Sequence, residues 1–366
     1  MIFKIKLNYL TLTCQNEIKL NLFKNIHYFS LRFDCMQHNS TLKKLSEMLG
    51  ISISTVSRAL KDHPDISEKT KSRVKELAKE IEYEPNTYAI QLRTNQSRVL
   101  GIMIPNLANY FYDSFIAAVE EEARLNDYSL LIMQSGEDQI VEEHNLNLLR
   151  RNRIAGLFAS LTVNTTDIKP FLKLSDIDVP VIFVDRVPGF EACNKICLAD
   201  KEAARMAAEV LIDKKKKNVL GLFGHLNLTI SKKRLESFTE TFKTKSPETK
   251  LDIVIQLDSE EARLATVKRI NENNIPDAIF CMGDLTLIGV MQAIYEKGLK
   301  VPEDIGVICI SNGFFPNIYN PKITYIETSG YKLGKLAFTR MMACLAGSSF
   351  VRELTVESVL VEGNSI

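Results

Sequence analysis

No stretch of the 366-residue chain approaches the roughly 18–20 consecutive apolar residues that a membrane-crossing helix requires. Neither sign of charge is in surplus. Lys and Arg number 46 against 45 Asp and Glu, a formal net charge of +1. A chain-wide basic field that would gather nucleic acid is thereby excluded, and any basic surface must be local. The seven cysteines, at 14, 35, 193, 197, 281, 309 and 344, are odd in number and mostly far apart. That argues against a disulfide framework and fits a reducing cytoplasm. Cys193 and Cys197 form a C-x3-C pair with no histidine nearby and read as two unrelated thiols, so no metal site is expected. The five histidines are dispersed without ligand spacing, and His225, which follows the strand-like run GLFG, reads as a polar loop residue. The sequence also lacks G-x4-G-K-[ST], G-x-G-x2-G, H-E-x2-H and G-x-S-x-G. Neither an enzyme nor a cofactor is expected.

Residues 1–36 have no clear hydrophobic period, no unbroken apolar run and no small-residue cleavage site, so they do not read as a signal peptide. They carry no capping or turn logic that links them to the helical pattern beyond residue 40. They are expected to lie outside the functional fold, with Met36 as the physiological start. Beyond a polar stretch, Gln37 to Ser40, the character changes. Leu42, Leu45 and Leu49 recur at helical spacing, and Gly50 supplies the left-handed residue that ends a helix. Ser52 is placed to cap a second helix over Ile53 to Leu60, with Val56 and Leu60 inward. After a loop at Asp62 to Asp65, Ser67 caps a third helix with Val74, Leu77, Ala78 and Ile81 on one face. Glu84-Pro85-Asn86 is a break, Asn86 to Arg93 has the length of one or two helical turns, and Thr94 to Arg98 reads as a linker.

From Val99 onward, apolar runs alternate with helical patterns. VLGIMIP, YSLLIMQ, IAGLFAS, VPVIFVD, NVLGLFG, LDIVIQL, AIFCMGD and GVICIS read as strands. Helices are expected over Tyr112 to Asn126, Val141 to Arg153, Lys201 to Lys214, Lys232 to Lys243, Ser259 to Asn273 and Leu285 to Lys297. Such alternation implies right-handed βαβ units and parallel sheets. Some 270 residues is long for one such sheet, so two α/β lobes with facing clefts are expected.

The segment TLKKLSEMLGISISTVSRAL, Thr41 to Leu60, is helix, glycine turn, helix, the arrangement of a helix-turn-helix. Short polar side chains at the start of its second helix allow close approach to phosphates and base edges, and Arg58 can pair with a guanine edge. An ordinary three-helix core shows the same apolar spacing, so spacing alone does not choose between the two.

The runs ISISTVSRAL, ISEKTKSRV and YEPNTYAIQLRTNQSRVLGIMIP closely resemble the lactose-repressor (LacI/GalR) family, from about Thr41 to near the C-terminus. The resemblance implies an all-α helix-turn-helix domain (37–84), a hinge helix and linker (85–98), and a two-lobed periplasmic-binding-protein-like α/β core (99–366) for effector binding and dimerisation. It implies base reading by Ile53, Ser54 and Arg58, and phosphate contacts from Thr41, Ser52, Thr55, Ser57 and Asn86. In the hinge it places Ala89 and Leu92 in the minor groove, with Leu92 as an apolar wedge. In the core it assigns effector contacts to Phe111, Tyr112, Arg205, Arg234 and Asp284, with Ser311 and Asn312 at the next cleft strand. Some positions depart from the family pattern: Ser311 replaces a common acidic residue, Ala155 an Asp, Lys215-Lys216 a Gly-His, and Ile90 an Arg. Carboxylates, arginine forks and aromatic rings together suit a sugar, which presents hydroxyls and one apolar face.

The resulting expectation is a cytoplasmic, homodimeric, sequence-specific regulator of transcription. Its partners would be a pseudo-palindromic double-stranded operator and a small carbohydrate-like effector, without membrane. The second reading is a transport-type sugar-binding protein with no regulatory role.

Overall fold

A computed structural model describes residues 42–84, 97–189, 192–256, 258–272 and 275–366. The N-terminal extension, Thr41, and the hinge residues Asn86, Ala89, Ile90 and Leu92 lie outside the described residues. The chain divides into two compact units, one up to Asn95 and one from Gln96 to Ile366.

The first unit is three helices: α1 (Leu42–Leu49), α2 (Ile53–Leu60) and α3 (Glu68–Glu80). Gly50 follows α1 with φ of +66°, a conformation that costs glycine little. Ser52 Oγ accepts the Thr55 amide at 3.1 Å and Ser67 Oγ accepts the Thr70 amide at 3.3 Å. Each satisfies one of the amides a helix start leaves unpaired. Leu45, Leu49, Val56, Ala59, Val74 and Ala78 form the buried core, with Leu60, Leu77 and Ile81 packed against it half-buried.

The second unit has two parallel-sheet lobes. The first sheet contains β1 (Val99–Ile104), β2 (Ser129–Gln134), β3 (Gly156–Ala159), β4 (Val181–Val184), β5 (Asn194–Leu198) and β11 (Glu353–Val356), in the order β11-β5-β4-β3-β1-β2. The second contains β6 (Asn218–Phe223), β7 (Lys250–Ile255), β8 (Ala278–Cys281), β9 (Gly306–Ser311), β10 (Thr324–Glu327) and β12 (Val359–Val361), in the order β12-β10-β9-β8-β6-β7. Every strand pairing is parallel except β10 with β12. Strands β3, β4, β8 and β9 are buried along their whole length, as strands covered by helices on both faces must be.

The helices of the first lobe are α4 (Tyr110–Leu125), α5 (Gln139–Arg151), α6 (Lys169–Ser175) and α12 (Gly330–Leu345). Those of the second are α7 (Asp200–Asp213), α8 (Thr229–Lys245), α9 (Ser259–Asn271), α10 (Asp284–Glu296) and α11 (Phe314–Ile318). Helix α12 packs on α4, β4 and β5, whereas α7 packs on α8, β9 and β10. The chain therefore passes between lobes three times: after β5, after β10 and after β11. Gly330 and Gly334, one turn apart on α12, let that helix lie close against α4. A Cβ at either would fall 2.4 Å or 2.7 Å from the carbonyl oxygen of Phe111 or Phe115. This contact fixes the start of α4, which carries Phe111 and Tyr112.

Within the described residues the expected strands and helices are all present, with ends shifted by a few residues. The sequence reading passed over β5, α6, α11, β10, α12, β11 and β12.

Candidate nucleic-acid interface and interlobe cleft

In the first unit the core draws Val56 and Ala59 of α2 inward. Ile53, Ser54 and Arg58 remain exposed on the opposite side, Ile53 by 46% despite its apolar side chain. Ser54 and Arg58 are four residues apart, one helical turn, and share a face. The Arg58 guanidinium has no hydrogen-bond or ion-pair partner among the described residues. Ser52 is exposed at the cap, where its hydroxyl lies 2.8 Å from both Ser54 Oγ and Thr55 Oγ1. Thr55 and Ser57 are half-buried at the margin. The folded helix thus presents a cluster of hydroxyls at and near its N-terminal end and the Arg58 guanidinium in its last turn.

In the second unit, a cavity of about 580 Å³ lies between the lobes at the carboxyl ends of their strands, the usual ligand position in parallel α/β sheets. Phe111, Tyr112, Arg234, Asp284, Ser311 and Asn312 all line it. Tyr112 is buried and its hydroxyl donates to Asp185 Oδ2 at 2.8 Å, with Ser160 Oγ also 2.8 Å away. Phe111 meets Tyr112 edge-on, centroids 5.6 Å apart. Arg234 is buried with Asp200: Nε and Nη2 lie 2.9 and 2.8 Å from Asp200 Oδ1, and Nη1 donates to the Met282 carbonyl at 2.7 Å. Ser311 donates to Asp284, which opens α10, and Asn312 Oδ1 accepts the Phe314 amide at 3.2 Å.

Arg205 does not reach the cleft. It sits on the outer side of α7, where its guanidinium is divided between Glu202 and Glu209, one turn to either side. Its expected role as an effector contact is therefore corrected. The cleft instead takes its second arginine from Arg186, just past β4, whose Nη1 donates to Glu137 Oε1 at 2.6 Å. Asp185, Glu137, Gln256 and Asp258 also line the cavity and were missed in the sequence. All four follow the ends of strands in regions already read as strand-like, and that position was the available signal. His225, a loop residue just past β6, lines the cavity as well. Glu137 and Asp185 each hold φ of +60°, a left-handed backbone that costs a residue with a Cβ about 1 kcal/mol or more.

Burial governs the electrostatics. It pushes the Asp284 carboxyl up to about 6, against hydrogen bonds from Ser311 and the Asn312 amide. It pushes Asp200 to about 6 despite the attraction of Arg234. Asp185 also rises through burial, opposed by Arg186 and the Tyr112 hydroxyl. Burial alone would lower Arg186, but the neighbouring Tyr112 hydroxyl group and the carboxylates of Glu137 and Asp185 hold it above its ordinary value.

Residues 41–86 match the family model for bacterial regulatory proteins of the lacI family, and residues 208–366 match that for a periplasmic binding protein-like domain. The chain thus carries a lacI-family helix-turn-helix domain and a periplasmic binding protein-like domain. Its relatives include HTH-type transcriptional repressor PurR of Vibrio atlanticus (strain LGP32), 24% identical over 82% of this chain and 90% of that protein. PurR of Pasteurella multocida (strain Pm70) is 27% identical over the same shares. Among solved structures, the Lac repressor dimer bound to operator and the anti-inducer ONPF superposes with a TM-score of 0.80 at 23% identity, over 89% of this chain and 99% of that one. A periplasmic binding protein/LacI transcriptional regulator from Alkaliphilus metalliredigens QYMF, complexed with D-xylulofuranose, matches with a TM-score of 0.65 at 22% identity, over 74% of this chain and 99% of that one. Among the described residues, no helix is long and apolar enough to cross a membrane.

Proposed function

We propose that this chain is a repressor that reads a pseudo-palindromic operator as a homodimer in the cytoplasm, without catalysing a reaction. Its grip on DNA is set by a small hydroxylated ligand held between the two lobes. The observation that carries the reading is the joining, in one chain, of a lacI-type helix-turn-helix to a two-lobed domain with a polar interlobe cavity. A transport-type binding protein has use for the cavity but none for an exposed Arg58 on a capped second helix.

In this reading Ile53, Ser54 and Arg58 contact base edges. Ser52, Thr55, Ser57, Thr41 and Asn86 contact phosphates, and Ala89 and Leu92 enter the minor groove. Two recognition helices one DNA turn apart require a dimer. Phe111, Tyr112, Arg234, Asp284, Ser311 and Asn312 hold the effector, joined by Arg186 and Asp185. The relatives named as repressors and the operator-bound Lac repressor support the DNA role, and the neighbour complexed with D-xylulofuranose supports a sugar-like effector.

The test is a gel shift on genomic fragments followed by substitution. Arg58→Ala costs about 1–3 kcal/mol of specific binding and relaxes preference at one base pair per half-site. Lys43→Ala, on the exposed side of α1, costs far less. Equal losses, or no retained fragment with the wild-type chain, refute the assignment.

A further inference from the structure

The interlobe cavity is unbalanced in charge. Its walls carry four carboxylates, Glu137, Asp185, Asp258 and Asp284, against two guanidinium groups, Arg186 and Arg234. Neither guanidinium is free. Arg186 is held by Glu137, and Arg234 by a fifth carboxylate, Asp200, and by the Met282 carbonyl. His225 Nδ1 accepts the Asn227 amide at 3.1 Å. Asp185 and Asp284 accept hydrogen bonds from the hydroxyls of Tyr112 and Ser311. An anionic guest entering such a site meets uncompensated negative charge at low dielectric, and a cationic guest relieves it.

A second observation points to a guest. Ser231, on α8, lines the same cavity, is fully buried, and its Oγ has no hydrogen-bond partner among the described residues. A buried hydroxyl left unpaired costs free energy until something supplies a partner. The cavity's volume, about 580 Å³, is that of a small-molecule site, and Phe111 and Phe315 give it apolar surface.

We propose that the cleft takes a basic, hydroxylated ring compound of amino-sugar chemistry and rejects phosphorylated counterparts, because its carboxylates outnumber guanidinium groups that are already paired. The ammonium group sits among the cleft carboxylates with Asp284 as a principal partner, and a ligand hydroxyl pairs Ser231. This rests on the reading of the cleft as the effector site.

The test uses the full chain with two matched triples: D-glucosamine, D-glucose and D-glucose 6-phosphate, and the corresponding galactose set. Binding is followed by calorimetry and thermal denaturation at neutral pH. In at least one triple the amine is expected to bind about tenfold more tightly than the neutral sugar, the worth of one charge-assisted hydrogen bond, with the phosphate weakest. Asp284→Asn is expected to cut the amine-to-neutral ratio about tenfold. Where that variant does not fold, Asp258→Asn, at an exposed position, gives the same readout. A phosphate that binds as tightly as its amine, a neutral sugar equal to its amine, an unchanged ratio in the variant, or no binding by any of the six in the millimolar range overturns the proposal. A gel shift on the same preparation separates the two readings. Fragments retained without sugar binding sink only the ligand class, whereas no retained fragment sinks the regulator itself.

Discussion

Replacing Arg234 with methionine asks whether charge or packing holds the floor of the cleft. Arg234 and Asp200 are both buried, with side chains 5% and 4% exposed. At neutral pH the Asp200 carboxylate keeps its charge in an apolar setting only through that guanidinium. Breaking a buried pair by removing one partner costs about 3–5 kcal/mol. The Asp200 pKa, pushed by burial to about 6, supplies a control. A folded-state pKa above the ordinary carboxylate value means that the folded chain takes up the proton first. The neutral acid's contribution to stability is therefore full below about pH 4 and is lost as pH rises through about 6. Near pH 5 most of the folded wild-type chain already carries a neutral Asp200, which needs no cation.

Arg234→Met is thus expected to cost about 3–5 kcal/mol at pH 8 and roughly 1–2 kcal/mol at pH 5. The remainder at pH 5 is the hydrogen bond from Nη1 to the Met282 carbonyl and the imperfect fill of the space. For a unit of this size, about 2–4 °C of melting temperature goes with each kcal/mol, so the shift is roughly 6–20 °C at pH 8 and well under half of that at pH 5. Calorimetry on the full chain at both pH values measures it. Equal shifts at pH 5 and pH 8 would show that the loss is one of shape, and the argument from charge would be wrong. The double variant Asp200→Asn with Arg234→Met should lose less than Arg234→Met alone at pH 8, because it leaves no buried carboxylate without a partner.

Tyr110 of the first lobe stacks on Phe314 of the second, centroids 4.3 Å apart and planes 12° from parallel, at the mouth of the cleft. A double-mutant cycle with Tyr110→Ala and Phe314→Ala is expected to give a coupling of about 0.5–1.5 kcal/mol; a coupling near zero would mean that the lobes do not hold this closed contact in solution. Gly289 on α10 faces the Ser259 carbonyl of α9, where a Cβ would stand 2.0 Å from the oxygen, so Gly289→Ala forces those helices apart. It should destabilise the core by about 1–3 kcal/mol in denaturant melts, and a neutral result would refute that close approach. Arg205→Ala removes only surface ion pairs and is expected to change stability by about 0–1 kcal/mol, with ligand affinity unaltered in calorimetry; a lost response would return Arg205 to the cleft.

Strands fully enclosed by helices were easy to read, because β1, β3, β4, β8 and β9 appear as short unbroken apolar runs with turn residues at their ends. The last third was harder. In TYIE, Thr324 is buried by its neighbours, not marked by its own character, and ELTV carries a terminal Glu at an exposed edge. Helix α12 was passed over because its inward face includes Gly330, Gly334 and Arg340. Gly330 and Gly334 are required there by contact with α4, and Arg340 is buried by bonding to Asn194 and Ser348. All three requirements come from partners more than a hundred residues away or around a turn, which helical periodicity does not report.

The same distinction explains the two arginines of the cleft reading. Arg205 and Glu209 stand at i and i+4, and such spacing most directly reports an ion pair along a helix surface, which is what α7 contains. Arg186 has no local pattern around it. Its significance comes from following the carboxyl end of β4, beside Asp185, in a sheet where the segments after several strands line one cavity. Position in the sheet topology is thus a stronger guide to the lining of the cleft in this fold than spacing on a helix. Asp185 makes the point from the other side. Only the folded chain brings it within 2.8 Å of a hydroxyl 73 residues earlier in sequence, and only there does its left-handed backbone turn the carboxylate toward the cleft.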